Sequence, residues 1–379
     1  MRTPPLGLYI HIPWCVQKCP YCDFNSHALK GGLPEQEYVA HLLADLEQDA
    51  RITGDRPVQT IFIGGGTPSL FSPDSIGHLL SEASKRVPFA PDIEITLEAN
   101  PGTIEAARFN GYVKAGINRF SIGIQSFQAA HLKALGRIHD PAQALFAINQ
   151  AKQSGVGSFN LDLMHGLPGQ SLQNALDDLT TAMAQQPAHL SWYQLTIEPN
   201  TPFYSRPPQL PDDDILWDIQ DEGHKRLSQA GYEQYEISGY SQRGFQCRHN
   251  LNYWRFGDYL GIGCGAHGKI TDINSATINR TVKVKHPRGY MTLNRPYLDQ
   301  STLVDPDDLA FEFFMNRFRL VEPCPKQDFT DFTGSSLSYE QQKALQQAVE
   351  NGLLTETSTH WQVTVLGRRY LNTLLSAFV

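Results

Sequence analysis

Residues 11–24 read His11-Ile12-Pro13-Trp14-Cys15-Val16-Gln17-Lys18-Cys19-Pro20-Tyr21-Cys22-Asp23-Phe24. An apolar, strand-like run at 8–12 leads into three cysteines spaced C-x3-C-x2-C: Cys15, Cys19 and Cys22. Three thiolates on one tight loop hold three corners of a cubane iron–sulfur cluster and leave one iron without a protein ligand. An open iron suits chelation of a small molecule, whereas a cluster that only carries electrons usually has four cysteines. Two other readings stand beside this one. Cys19-Pro20-Tyr21-Cys22 alone matches a thioredoxin-like redox pair. Cys15, Cys19 and Cys22 with His27 match a structural zinc site. The third cysteine at this spacing, directly after a first strand, favours the cluster.

Further apolar runs follow at 60–63, 93–97, 119–124, 159–164 and 190–197. Between them lie segments of helical periodicity at 35–52, 74–87, 104–115, 142–154 and 171–185. Ser72-Pro73, Asp140-Pro141 and Pro211-Asp212 supply caps or first-turn prolines where helices open. Six strands alternating with helices predict consecutive right-handed βαβ units, hence a parallel sheet that suggests a barrel or partial barrel within 1–230. Chemistry is expected at the carboxyl ends of its strands. The second strand ends in I-F-I-G-G-G-T-P-S, which lacks the Gly-Lys-Ser/Thr of a phosphate loop.

Beyond residue 231 the pattern changes. Residues 232–244 read as a strand and turn, and the glycine-rich 257–268 as loop. These fall in an extension, 231–304. Residues 305–379 read as helix, helix, small hairpin, helix, a smaller, mainly helical, winged-helix-like domain whose role is packing or docking as readily as DNA binding.

Hydrophobic residues are 41% and charged residues 18% of the 379, which excludes a disordered chain. The net charge of −8 argues against nucleic acid as a partner. No apolar run is long enough to span a bilayer, and the N-terminus lacks a signal-peptide pattern. The expected location is the cytoplasm, where six cysteines stay reduced and a clustered set binds metal rather than forming disulfides.

C-x3-C-x2-C with an aromatic, Tyr21, before the last cysteine resembles the signature of the radical S-adenosylmethionine (SAM) superfamily. The resemblance implies an incomplete (β/α)6 barrel with a [4Fe–4S] cluster near its top. SAM chelates the open iron, and one electron cleaves it to a 5′-deoxyadenosyl radical. It also implies that Gly65, Gly66, Thr67 and Pro68 contact the SAM amino group. L-E-A-N-P, G-I-Q-S-F, L-G-R and D-L-M-H-G-L-P-G-Q are similar to the oxygen-independent coproporphyrinogen III dehydrogenase branch. This carries SAM-binding roles onto Tyr9, Glu98, Gln125, Arg137 and Asp162. Glu98, Gln125 and Asp162 are each expected at a strand's carboxyl end, able to accept ribose hydroxyls, with Arg137 paired to the SAM carboxylate. For any one of them the plain alternative is a structural polar residue.

That branch's dehydrogenase reads C-x3-C-x2-C-x-C, whereas here the fourth position is Phe24, counted with the residues around the cofactor. The dehydrogenase also has a longer segment before the first strand, which this chain lacks. Both departures argue against decarboxylation of coproporphyrinogen. C-R-H-N-L-N-Y-W at 247–254 contains His249, Asn250, Tyr253 and Trp254, similar to a motif associated with heme binding in heme chaperones of the same branch. A neutral imidazole can ligate heme iron, and Tyr and Trp can stack on the macrocycle. The alternative is a buried histidine beside core aromatics. Cys247 and Cys324-Pro325 are weaker candidate ligands, and Cys264 gives no signal. Three functions are carried forward: a heme chaperone that passes heme to acceptor proteins, transient membrane-protein acceptors among them; a porphyrin-modifying radical enzyme; and a zinc-stabilised binding module.

Overall fold

A computed structural model describes residues 1–102, 107–292 and 296–378. Six strands follow one another as anticipated: β1 (Leu6–Ile12), β2 (Val58–Gly65), β3 (Phe89–Ala99), β4 (Arg119–Gln125), β5 (Ser158–His165) and β6 (His189–Gln194). Each pairs in parallel with the next. Their apolar side chains are buried on both faces, as a sheet covered by helices requires.

The covering helices are α1 (Glu35–Thr53), α2 (Pro73–Ala83), α3 (Phe109–Lys114), α4 (Pro141–Gln153), α5 (Leu172–Ala184) and α6 (Asp213–Gln229). The three predicted helix starts hold. Ser72, Asp140 and Asp212 accept hydrogen bonds from the backbones of Ser75, Gln143 and Ile215, which satisfies amides the helix itself leaves unpaired. The helix expected at 104–115 begins outside the described residues, and its described part is α3.

Residues 257–268 correct the sequence reading. They were expected as loop, yet Asp258–Ile262 forms a strand, β7, parallel to β1 on the side away from β2. Strands β8 (His267–Asp272), β9 (Thr277–Lys283) and β10 (Leu298–Leu303) continue from it antiparallel. The glycines there serve close approach rather than flexibility: a Cβ on Gly261 would collide with the backbone of His267. Buried Asp258 ties this edge together, accepting from Lys269 at 3.1 Å, Thr271 at 2.8 Å and Arg56 at 2.9 Å. At the other edge the segment 232–244, read as a strand and turn, forms a short hairpin whose Gly239–Ser241 pairs antiparallel to β6. The whole is one 12-stranded sheet among the described residues.

Helix α7 (Arg248–Trp254) precedes β7, and α8 (Leu309–Arg317) opens the C-terminal part. There, helices Lys326–Thr333 and Tyr339–Glu350 and a small three-stranded sheet surround an aromatic core of Phe313, Phe314, Phe318, Phe329, Trp361 and Phe378. This is the winged-helix-like arrangement expected. Lys326–Thr333 was not anticipated, because two turns are too short to establish a period. Among the described residues no helix is long and apolar enough to cross a membrane.

Candidate functional site

The cysteine loop leaves the carboxyl end of β1. Trp14–Cys15 pairs briefly with His27–Ala28, which closes the loop at its base. Asn25 pins its far side, donating to the carbonyls of Cys264 and Lys285, each at 2.9 Å. His11 Nε2 lies 2.9 Å from the Asn25 carbonyl and must therefore donate, which leaves Nδ1 to accept from the Tyr9 hydroxyl at 2.9 Å. Burial lowers the His11 pKa to about 4, so it stays neutral. His27, the extra ligand of the zinc reading, faces Asn25 Oδ1 at 3.2 Å and the ring of His286.

Cys15, Cys19 and Cys22 are half-buried and line a cavity of about 340 Å³. Gly65, Gly66, Thr67 and Pro68 form one wall, because the backbone amides of Gly66 and Thr67 bond to the carbonyls of Ile12 and Trp14 at 2.7 Å. A Cβ on Gly66 would stand 2.5 Å from the Trp14 oxygen. Gly66 thus gives room to the cysteine loop as well as lining the cavity.

Tyr21, Phe24, Glu98, Gln125, Arg137 and Asp162 line the same cavity. Glu98 accepts from the Gly65 amide at 3.0 Å; burial, and secondarily the neighbouring Asp162, push its pKa up to about 8. Gln125 ends β4 with φ +68, a left-handed conformation unusual for a side-chain-bearing residue, and accepts from the Tyr193 hydroxyl at 2.8 Å. Arg137 donates to Asn100 Oδ1 and the Gly123 carbonyl at 2.8 Å and approaches Cys19 Sγ at 3.7 Å; its Nε is buried without a partner. Asp162 is not at a strand end as expected. It sits mid-strand because the buried run of β5 continues to His165. Ser121 at 2.9 Å and Asn160 at 2.7 Å hold its two oxygens. Its pKa is raised by burial, against the pull of these hydrogen bonds. Sequence reasoning missed Asn100, which joins Thr67 (3.0 Å) to Arg137, although it stands inside the quoted L-E-A-N-P.

Tyr9 lines a second cavity of about 800 Å³, together with His249, Asn250, Tyr253 and Trp254. The two cavities share eight lining residues, Phe24, Glu98, Asp162, Asn250 and Trp254 among them. His249 is 1% exposed, and its ring lies over Phe62 at 5.3 Å between centroids. Its Nδ1 is 2.8 Å from Thr60 Oγ1 and its Nε2 2.8 Å from the Tyr253 hydroxyl. Burial lowers its pKa to about 3. The Trp254 indole N–H is buried without a partner, under the guanidinium of Arg319. Cys247 is buried, with burial raising its pKa to about 12; Cys264 bonds to the Lys285 carbonyl; and Cys324 packs in the C-terminal core, away from both cavities.

The radical SAM superfamily model matches residues 9–182, and the HemN C-terminal domain model matches 304–370. A Haemophilus influenzae protein named heme chaperone HemW is 58% identical over 382 residues, covering 100% of this chain and 99% of that protein. The Escherichia coli K12 protein of the same name is 57% identical over 379 residues, with the same coverage. The structure of coproporphyrinogen III oxidase (HemN) from Escherichia coli, a radical SAM enzyme, superposes with a TM-score of 0.84. That likeness covers 99% of this chain and 90% of the other at 22% identity, which speaks to fold alone. The chain belongs to the radical SAM superfamily and, within it, to the family of these HemW proteins.

A [4Fe–4S] cluster and SAM come with that superfamily, and when bound they supply one-electron chemistry. The donor set fits: three half-buried thiols face a cavity with a glycine-lined wall and the unpartnered Nε of Arg137.

Proposed function

We propose that this chain is a heme chaperone of the cytoplasm that binds a [4Fe–4S] cluster, SAM and heme, and passes heme to acceptor proteins. The observation that carries this is the 800 Å³ cavity, which joins the cluster cavity and is walled by His249, Asn250, Tyr253 and Trp254. Its volume lies in the range of clefts that enclose organic ligands. The names of the full-length relatives point the same way. In this reading Cys15, Cys19 and Cys22 hold the cluster. Gly65, Thr67, Glu98, Gln125, Arg137 and Asp162 orient SAM, and Tyr21 and Phe24 screen the site from water.

His249 becomes an iron ligand only when Tyr253 releases Nε2, so heme binding is coupled to a side-chain movement in α7. The neutral imidazole, kept so by burial, is the form able to ligate. The test is anaerobic reconstitution, heme titration and a porphyrin product assay. A Soret band that changes in His249→Ala, with no turnover of coproporphyrinogen III, supports the reading. Multiple-turnover decarboxylation would replace it with the enzyme reading.

A further inference from the structure

Arg119 opens β4 at the wall of the larger cavity, with only 4% of its surface exposed. Among the described residues its guanidinium has no hydrogen bond and no ion pair, and its Nε is buried without a partner. A buried cation in this state is costly unless something neutralises it. Neighbouring acidic groups, Glu94 and Asp162 among them, favour its charge from a distance, yet both accept their hydrogen bonds from other donors. Glu94 accepts from the backbone amides of His249 at 3.0 Å and Arg248 at 3.2 Å, and Asp162 from Ser121 and Asn160. A planar fork of donors facing a cavity is suited to a carboxylate.

We propose that Arg119 is the anchor for a carboxylate of the ligand in the larger cavity. Resting on the heme reading above, that carboxylate is a porphyrin propionate. Anchored there, the macrocycle lies across the wall that carries His249 and Tyr253, and the propionate supplies the hydrogen-bond acceptor the guanidinium lacks. SAM also carries a carboxylate, but Arg119 does not line the smaller cavity where the cysteines stand.

The test titrates reconstituted full-length protein with heme and, separately, with heme dimethyl ester, whose propionates carry no charge. Wild type should prefer the diacid by about 10- to 100-fold, the range of a hydrogen bond between charged groups. Arg119→Met should lose that preference, Arg119→Lys should keep part of it, and SAM affinity should be unchanged in both. Equal wild-type affinity for diacid and diester overturns the anchor but leaves the heme reading standing, and this comparison needs no variant to fold. A folded Arg119→Met protein that discriminates like wild type, or one that loses SAM affinity instead, also overturns it. If neither porphyrin binds, the heme reading and the anchor fall together.

Discussion

The Tyr253 hydroxyl lies 2.8 Å from Nε2 of His249, one helical turn away on α7, and occupies the nitrogen that would face an iron. Tyr253→Phe removes that competitor and leaves the ring in place. If His249 is the ligand, heme affinity should rise about 2- to 10-fold, one neutral hydrogen bond's worth, with a sharper Soret change. An absorption spectrum and affinity identical to wild type would mark His249 as a structural histidine.

Gly66 gives room to the cysteine loop and lines the cavity as well. Gly66→Val places carbon against the Trp14 carbonyl, so the loop must shift. The expected result is a fall in iron and sulfide content, together with a stability loss of about 1–3 kcal/mol typical of overpacking. Normal iron content with weakened SAM binding would show that the added side chain displaces only the ligand.

These two residues illustrate what the sequence could and could not tell. The cluster loop, the six barrel strands and the helix caps were legible because each rests on local pattern: cysteine spacing, apolar runs and side chains one turn from the amides they satisfy. Strand β7 was not, since five residues with glycines on either side look like loop until a neighbouring strand demands the space. The hydrogen bonds that close off His249 come from Thr60, far away in sequence, as well as from its own helix. Arg119 heads the apolar run at 119–124 and carries no signal of its own there; only the assembled sheet buries it.

Glu98 gives a pH prediction. Its pKa is raised to about 8 by burial first and by Asp162 second, so between the unfolded value and 8 the native state holds a proton that the unfolded chain has lost. Stability contributed by this group is therefore present at low pH and lost as pH rises toward 8, by up to about 1.4 kcal/mol per pH unit. Glu98→Gln mimics the protonated form and should flatten that decline. Thermal unfolding of the apo protein from pH 5 to pH 8.5 measures it; parallel curves for wild type and variant would contradict the burial argument.

Asp162 is built for acceptance, with Ser121 and Asn160 fixing its carboxylate toward the shared wall of both cavities. Asp162→Ala should weaken SAM binding by about 1–3 kcal/mol, and should destabilise the fold because two buried donors lose their acceptor. Isothermal titration under anaerobic conditions reads the first effect. Unchanged SAM affinity in a folded variant would remove Asp162 from the SAM site.

The cysteines divide sharply by environment, and that division can be tested directly. Cys15, Cys19 and Cys22 are half-buried and face one cavity, whereas Cys247, Cys264 and Cys324 are buried. Burial raises the pKa of Cys15 as it does those of the latter three, so the shared cavity, not the thiol pKa, sets the first three apart. Reconstituted wild type should carry about four iron and four sulfide per chain, the cubane stoichiometry. Replacing any one of the first three by alanine should abolish a stable cluster. Cys264→Ala should keep it: although Cys264 touches Asn25, the chief restraint on the loop is the Asn25 bond to the Cys264 backbone carbonyl, which alanine retains. One zinc per chain without iron uptake, or a cluster that survives loss of Cys19, would overturn the three-cysteine assignment.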